Sequence, residues 1–200
     1  MLRCKIKVSP SALFLLALFV LFSSPILLAA LLLAALCHEL GHYAILYMTG
    51  GTVKEIHITA LGVEMKVQSR SGYGTEFLVT LAGPGINLLL AWCLSLLGRQ
   101  MPIFYVFAGA QAVLGVFNLL PMQPLDGGTL LWTMVAYIWE PYTADRITCG
   151  VGLAVALSLT GFAVFLLGRM GGTPFFLLAA LGLLWYAVRE MGLVKRRRKR

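Results

Sequence analysis

The sequence predicts an all-α polytopic membrane protein, with six transmembrane helices and a small amphipathic β-sheet between the second and third. Three observations carry this. The chain is 60% hydrophobic and only 12% charged, whereas soluble domains sit near 45–50% and about 25%. Its apolar residues gather in runs of roughly 15–25, close to what a hydrocarbon core of about 30 Å requires. Its basic residues fall between those runs with a one-sided bias. At about 20 residues per span, 200 residues make one compact bundle, so residues 1–200 read as a single domain.

Met1 to Lys7 followed by an apolar run resembles a signal peptide. The run continues without a cleavage site, so it reads as an uncleaved first helix over about 9–23. A single helix from there through Met48 would be about 40 residues long, too much for one bilayer. Ser23-Ser24-Pro25 breaks it, with Pro25 in the first turn of the next helix, where its missing N–H does no harm. The second span then covers about 26–48. Thr52 to Ile58 and Gly62 to Val67 alternate polar and apolar residues and are rich in Val and Ile, which is strand patterning. Ser71-Gly72-Tyr73-Gly74 closes that unit. Four more apolar runs follow, at about 77–98, 103–120, 147–168 and 174–192, and then a basic tail over 195–200.

A cytoplasmic amino terminus puts fourteen of the sixteen basic residues inside and leaves only Arg99 and Arg169 outside. Merging the first two spans would move three of them out, so six spans with both termini cytoplasmic satisfy the positive-inside rule best. The net charge of +8 therefore reads as topology and as an anchor near anionic lipid, and no nucleic-acid partner is expected. Cys4, Cys37, Cys93 and Cys149 are scattered without a CxxC pair, which argues against a thiolate zinc site or a disulfide framework. Cys37 reads as a small apolar packing residue.

Within the second span lies His38-Glu39-Leu40-Gly41-His42. Ionisable groups at membrane depth are costly unless paired or bound to metal, so these mark function. Residues four apart on a helix stack on one face, so His38 and His42 can share one metal ion. Glu39 lies about 100° around the helix from His38 and about 60° from His42, within reach of a water on that ion without being a ligand. Gly41 lets another helix come close. In the predicted orientation His38 is about 18 Å along its span, roughly 12 Å from the cytoplasmic surface. A catalytic zinc needs a third protein ligand. Asp126 stands in apolar surroundings in the stretch Asn118 to Gly128, just after the fourth span, where Pro121 and Pro124 break the helix. It reads either as that ligand or as the N-cap of a helix starting near Thr129. His57 reads as an ordinary side chain of the interfacial sheet.

These residues resemble the site-2 protease family of intramembrane zinc metalloproteases. That family pairs HExxH with a downstream Asn-x-x-Pro…Asp-Gly element, matched by Asn118, Pro121, Asp126 and Gly127. Ala82-Gly83-Pro84-Gly85-Ile86-Asn87 is similar to the segment that opens the family's third core helix. The likeness covers essentially the whole chain and is strongest to sporulation-type members. Those commonly carry a cytoplasmic CBS domain after the last span, where this chain has its basic tail; no PDZ insertion is present, so neither ATP sensing nor PDZ-type substrate filtering is expected.

The resemblance implies a metalloendopeptidase of the bacterial cell membrane, acting in regulated intramembrane proteolysis. Zinc would sit on His38, His42 and Asp126. Glu39 would take the proton of the attacking water and pass it to the leaving amine. Asn118 would bind the substrate backbone or the developing oxyanion, or else bond the broken helix end. The implied partners are a membrane-tethered protein substrate, a pro-sigma factor if the sporulation likeness is literal, and inhibitory membrane proteins. Three rivals fit less well. A zinc transporter with an HExPH-like motif would want proline at position 41, a second metal-binding span and a His-rich loop. A prenyl-protein type protease would want a downstream Glu ligand, and Glu140 and Glu190 lack suitable neighbours. A catalytically inactive membrane scaffold would not need all four catalytic positions intact.

Overall fold

The structure is a computed structural model that describes residues 5–10, 13, 17, 20–21, 23–59, 62–68, 72–170 and 174–197. The expected first span lies for the most part outside the described residues. The chain divides into two compact units, residues 1–117 and 118–200.

In the first unit, strands β1 (Lys5–Val8), β2 (Thr52–Thr59) and β3 (Gly62–Gln68) form one sheet in the order β1-β2-β3. β2 and β3 pair antiparallel, with a register shift between Val53 and Glu55. β1 pairs with β2 in parallel, Ile6 opposite Ile56 and Val8 opposite Ile58. A parallel pair needs a long crossover, supplied here by residues 9–51. Across this seam Lys7 Nζ lies 3.7 Å from Glu55 Oε1, and within β2 His57 Nε2 lies 3.2 Å from Glu55 Oε2.

Helix α1 (Pro25–Met48) starts at the serine-proline break. Ser24 is its N-cap, accepting a hydrogen bond from the Leu27 N–H at 3.3 Å, and Pro25 opens the first turn. This satisfies one of the four orphan N–H groups of a helix start. At the other end the Thr49 hydroxyl donates to the Ile45 and Leu46 carbonyls, and Gly50 takes φ 76° to turn the chain into β2. The buried residues of α1 are Ala30, Ala34, His38, His42 and Leu46, one every four residues. Along this stripe packs α2 (Tyr73–Leu97), whose buried face is Thr80, Gly83, Pro84 and Asn87. Helix α3 (Ile103–Asn118) closes the small-residue end, packing Ala110, Phe107 and Leu114 on Ala30 and Ala34.

The second unit begins with an irregular stretch through Pro124 and continues into α4 (Asp126–Ile138), α5 (Pro141–Met170) and α6 (Pro174–Arg197). The fully buried Met122 anchors the irregular stretch in a core with Leu125, Ala156, Leu183 and Ala187. Helix α4 was not among the expected spans, and its start corrects the N-cap alternative for Asp126. Leu125 is the N-cap, and Asp126 is already in the first turn. Asp-Gly-Gly has poor helix propensity, yet the backbone needs both glycines. A Cβ at Gly127 would lie 2.2 Å from the Leu119 oxygen, and one at Gly128 would lie 2.4 Å from the Met122 carbonyl carbon.

Among the described residues, three helices are long and apolar enough to cross a membrane: α1, α2 and α5. The fourth expected span, 103–120, is a helix of only 16 residues ending at Asn118.

Candidate metal centre

The site grows from the spacing on α1. His38 and His42 are both buried, at 6% and 8% exposure, and their rings stand edge to face with centroids 4.6 Å apart. Their Nε2 atoms converge to 3.1 Å. Two nitrogens bound at about 2.0–2.1 Å in a tetrahedral zinc site stand about 3.3 Å apart, so this pair fits the ion. The His42 Nδ1–H donates to the Val79 carbonyl of α2 at 2.8 Å. That bond puts the proton on Nδ1 and leaves the Nε2 lone pair for a metal, which is how metal-binding histidines are usually oriented.

Glycines let the two helices approach this closely. At Gly83 a Cβ would fall 2.3 Å from His42 Nε2 and 2.9 Å from His38 Cε1, so only a hydrogen fits beside the imidazoles. At Gly41 it would fall 2.7 Å from the Ala82 oxygen, and the close approach expected at that position is present. The wholly buried Asn87 ties the helices together one turn further on, its Nδ2 donating to the Ala34 carbonyl at 3.4 Å. Sequence reasoning singled out the segment holding Gly83 and Asn87 but gave neither residue a role. The Val79 carbonyl was missed altogether, because a backbone acceptor leaves no mark in residue type.

The other expected residues fall as follows. Glu39 is half-buried on α1, beside the histidines in sequence. Asn118 is the half-buried last residue of α3, and Asp126 the half-buried first residue of α4, in the second unit. His57 is engaged with Glu55 in the sheet.

No family model matches the chain. It is 32% identical over 168 residues to the zinc metalloprotease Rip3 of Mycobacterium tuberculosis, a match over 72% of this chain and 40% of that protein. It is 30% identical over 169 residues to stage IV sporulation protein FB of Bacillus subtilis, over 82% of this chain and 59% of that protein. The chain thus spans about two fifths to three fifths of these curated relatives. Its fold is similar to that of the site-2 protease from Methanocaldococcus jannaschii, with a TM-score of 0.69 and 21% identity, covering 92% of this chain and 89% of that one. Three long apolar helices and membrane-protease relatives make it a membrane protein. With relatives at 30% identity or more, matched over more than two thirds of its length, the chain belongs to the site-2 protease family of intramembrane zinc metalloproteases.

Proposed function

We propose that the chain is a zinc endopeptidase that hydrolyses peptide bonds in or next to a transmembrane segment of a membrane-tethered protein, near the cytoplasmic face. The observation that carries this reading is the buried imidazole pair, with Nε2 atoms 3.1 Å apart and one ring fixed by the Val79 carbonyl. His38 and His42 would hold the zinc with Asp126 as third protein ligand. The HExxH spacing and the match of the Asn118-to-Gly128 element to the family pattern support that set. When bound, zinc would polarise the scissile carbonyl and bring the acidity of a water to near neutrality.

The remaining work falls to the chain's own groups. The Glu39 carboxylate accepts the proton of the attacking water and returns it to the leaving amine. The Asn118 side-chain amide donates to the substrate backbone or to the developing oxyanion. A helical substrate hides its carbonyls in its own hydrogen bonds, so it has to unwind before cleavage. β3 stands at an edge of the sheet order, and strand addition there would hold the unwound segment extended. The proposed setting is a single domain of six spans in a bacterial cell membrane, with both termini cytoplasmic. The similarity to a sporulation protein supports a membrane-associated regulatory protein as substrate, held in check by inhibitory membrane partners.

The test is co-expression with candidate membrane-tethered substrates. The wild-type chain cleaves one of them, and Glu39→Gln lowers cleavage by about 10²–10⁴-fold while metal analysis still finds zinc bound. Wild-type cleavage by Glu39→Gln would sink the proposal.

A further inference from the structure

Helices α1 and α2 are joined by hydrogen bonds on both sides of the imidazole pair. The His42 Nδ1–H donates to the Val79 carbonyl at 2.8 Å, and the Asn87 Nδ2–H donates to the Ala34 carbonyl at 3.4 Å. The two bonds stand eight residues apart on each helix, about 12 Å along the axis. Midway between them Gly83 faces the rings of His38 and His42. One antiparallel register therefore holds at all three places: Ala34 against Asn87, His38 against Gly83, His42 against Val79.

A single bond would leave α1 free to pivot about it. Two bonds about 12 Å apart fix both its rotation and its axial position, and a metal site needs its ligands held to within about 0.5 Å. The facing residues Ala34, Gly41 and Gly83 are small. Inside a membrane the hydrophobic effect does not drive one helix onto another, so close packing and interhelical hydrogen bonds carry the orientation. Asn87 also grips the turn that carries His38, because in an α-helix the His38 N–H bonds to that same Ala34 carbonyl.

Asparagine is a costly choice for this place. Asn87 is wholly buried, and its Oδ1 has no hydrogen-bond partner among the described residues. An unpaired amide oxygen away from water costs stability that an apolar side chain would keep. A buried asparagine that gives up stability to fix the register of its helix is well attested in coiled coils. Gln111 of α3 is the contrast: it is 2% exposed and its Oε1 is likewise unpartnered, but among the described residues it makes no hydrogen bond to α1.

We infer that Asn87 is a positioning residue of the metal centre. Through the Ala34 carbonyl it fixes the register that keeps the His42 Nδ1–H on the Val79 carbonyl and the two Nε2 atoms converged. The inference rests on the zinc reading for the identity of the ion; the histidine geometry belongs to the chain itself.

Two variants remove the donor, Asn87→Leu with a larger side chain and Asn87→Ala with a smaller one. Gln111→Met removes an equally buried amide and leaves the tie between α1 and α2 in place. Each is prepared as the full chain in detergent micelles, and a cooperative melt shows that it folds. Nitrogen NMR of labelled histidine in the metal-free chain reports whether His42 is held as the Nδ1–H tautomer, and titration with zinc alone gives the affinity. Wild type and Gln111→Met hold that tautomer. Both Asn87 variants lose it and bind zinc about 10–100-fold more weakly. A merely structural asparagine would lower the melt and leave the tautomer and zinc affinity of the folded chain unmoved. Wild-type tautomer and affinity in either Asn87 variant, an equal loss in Gln111→Met, or failure of both Asn87 variants to fold each overturns the inference. A wild-type chain that holds the tautomer but takes up no zinc removes the zinc reading instead, and the tautomer comparison then decides the role of Asn87.

Discussion

Gly83 carries as much of the site as the histidines it touches. A Cβ there would overlap both imidazoles, whereas at Gly85, two residues on in the same helix, it would meet nothing within 4 Å. Glycine costs a helix roughly 0.5–1 kcal/mol against alanine, so both glycines weaken α2 and only one repays it by contact with the site. Gly83→Ala is expected to lower zinc affinity at least tenfold, read as bound zinc per chain by metal analysis. Gly85→Ala is expected to keep its zinc and gain up to about 1 kcal/mol of stability in a melt. Equal zinc retention in the two variants would show that Gly83 does not shape the centre. His38, Glu39 and His42 were legible in the sequence because helical spacing turns directly into geometry. Gly83 and the Val79 carbonyl were not, because their role exists only once a helix some forty residues away packs against them.

At the scale of elements, legibility follows the range of the determining interactions. The start of α1 could be read from Ser23-Ser24-Pro25 because capping is settled within four residues. The start of α4 was misplaced by the same local logic. Asp is a good N-cap and Gly-Gly a poor helix opening, but the backbone of residues 119–123 lies so close that only glycine fits at 127 and 128. β1 was passed over entirely: four residues are too few to show alternation, and its parallel partner lies about fifty residues on. That third strand makes β2 the central strand and leaves β3 at an edge. If β3 holds the substrate, Ile56→Pro and Val63→Pro are expected to cut cleavage of the membrane substrate severalfold or more, since each removes a ladder N–H. Bound zinc should stay at the wild-type level. Normal cleavage by both variants would mean that the substrate is held elsewhere.

For the whole molecule the open quantity is the number of crossings, and it turns on α3. Helices α1, α2 and α5 run to 24, 25 and 30 residues, about 36–45 Å, which is more than the roughly 30 Å core. At 16 residues, or about 24 Å, α3 falls short, because Pro121 and Pro124 end any helix that would continue. Irregular backbone at membrane depth is tolerated only where protein or a wet cavity covers it, and the packing of residues 119–123 on Gly127 and Gly128 provides such cover. If α3 entered and returned without crossing, every later element would invert. The tail Lys195 to Arg200 would then lie outside, against the positive-inside rule. Six crossings avoid this. Alkaline phosphatase, active only outside the cytoplasm, is therefore expected to be active when fused after Gln100 and inactive when fused after Arg200. A fluorescent protein at the same two positions should give the opposite pattern. An active phosphatase at Arg200 would rule out the six-span count and remove the argument that places the histidines nearer the cytoplasm.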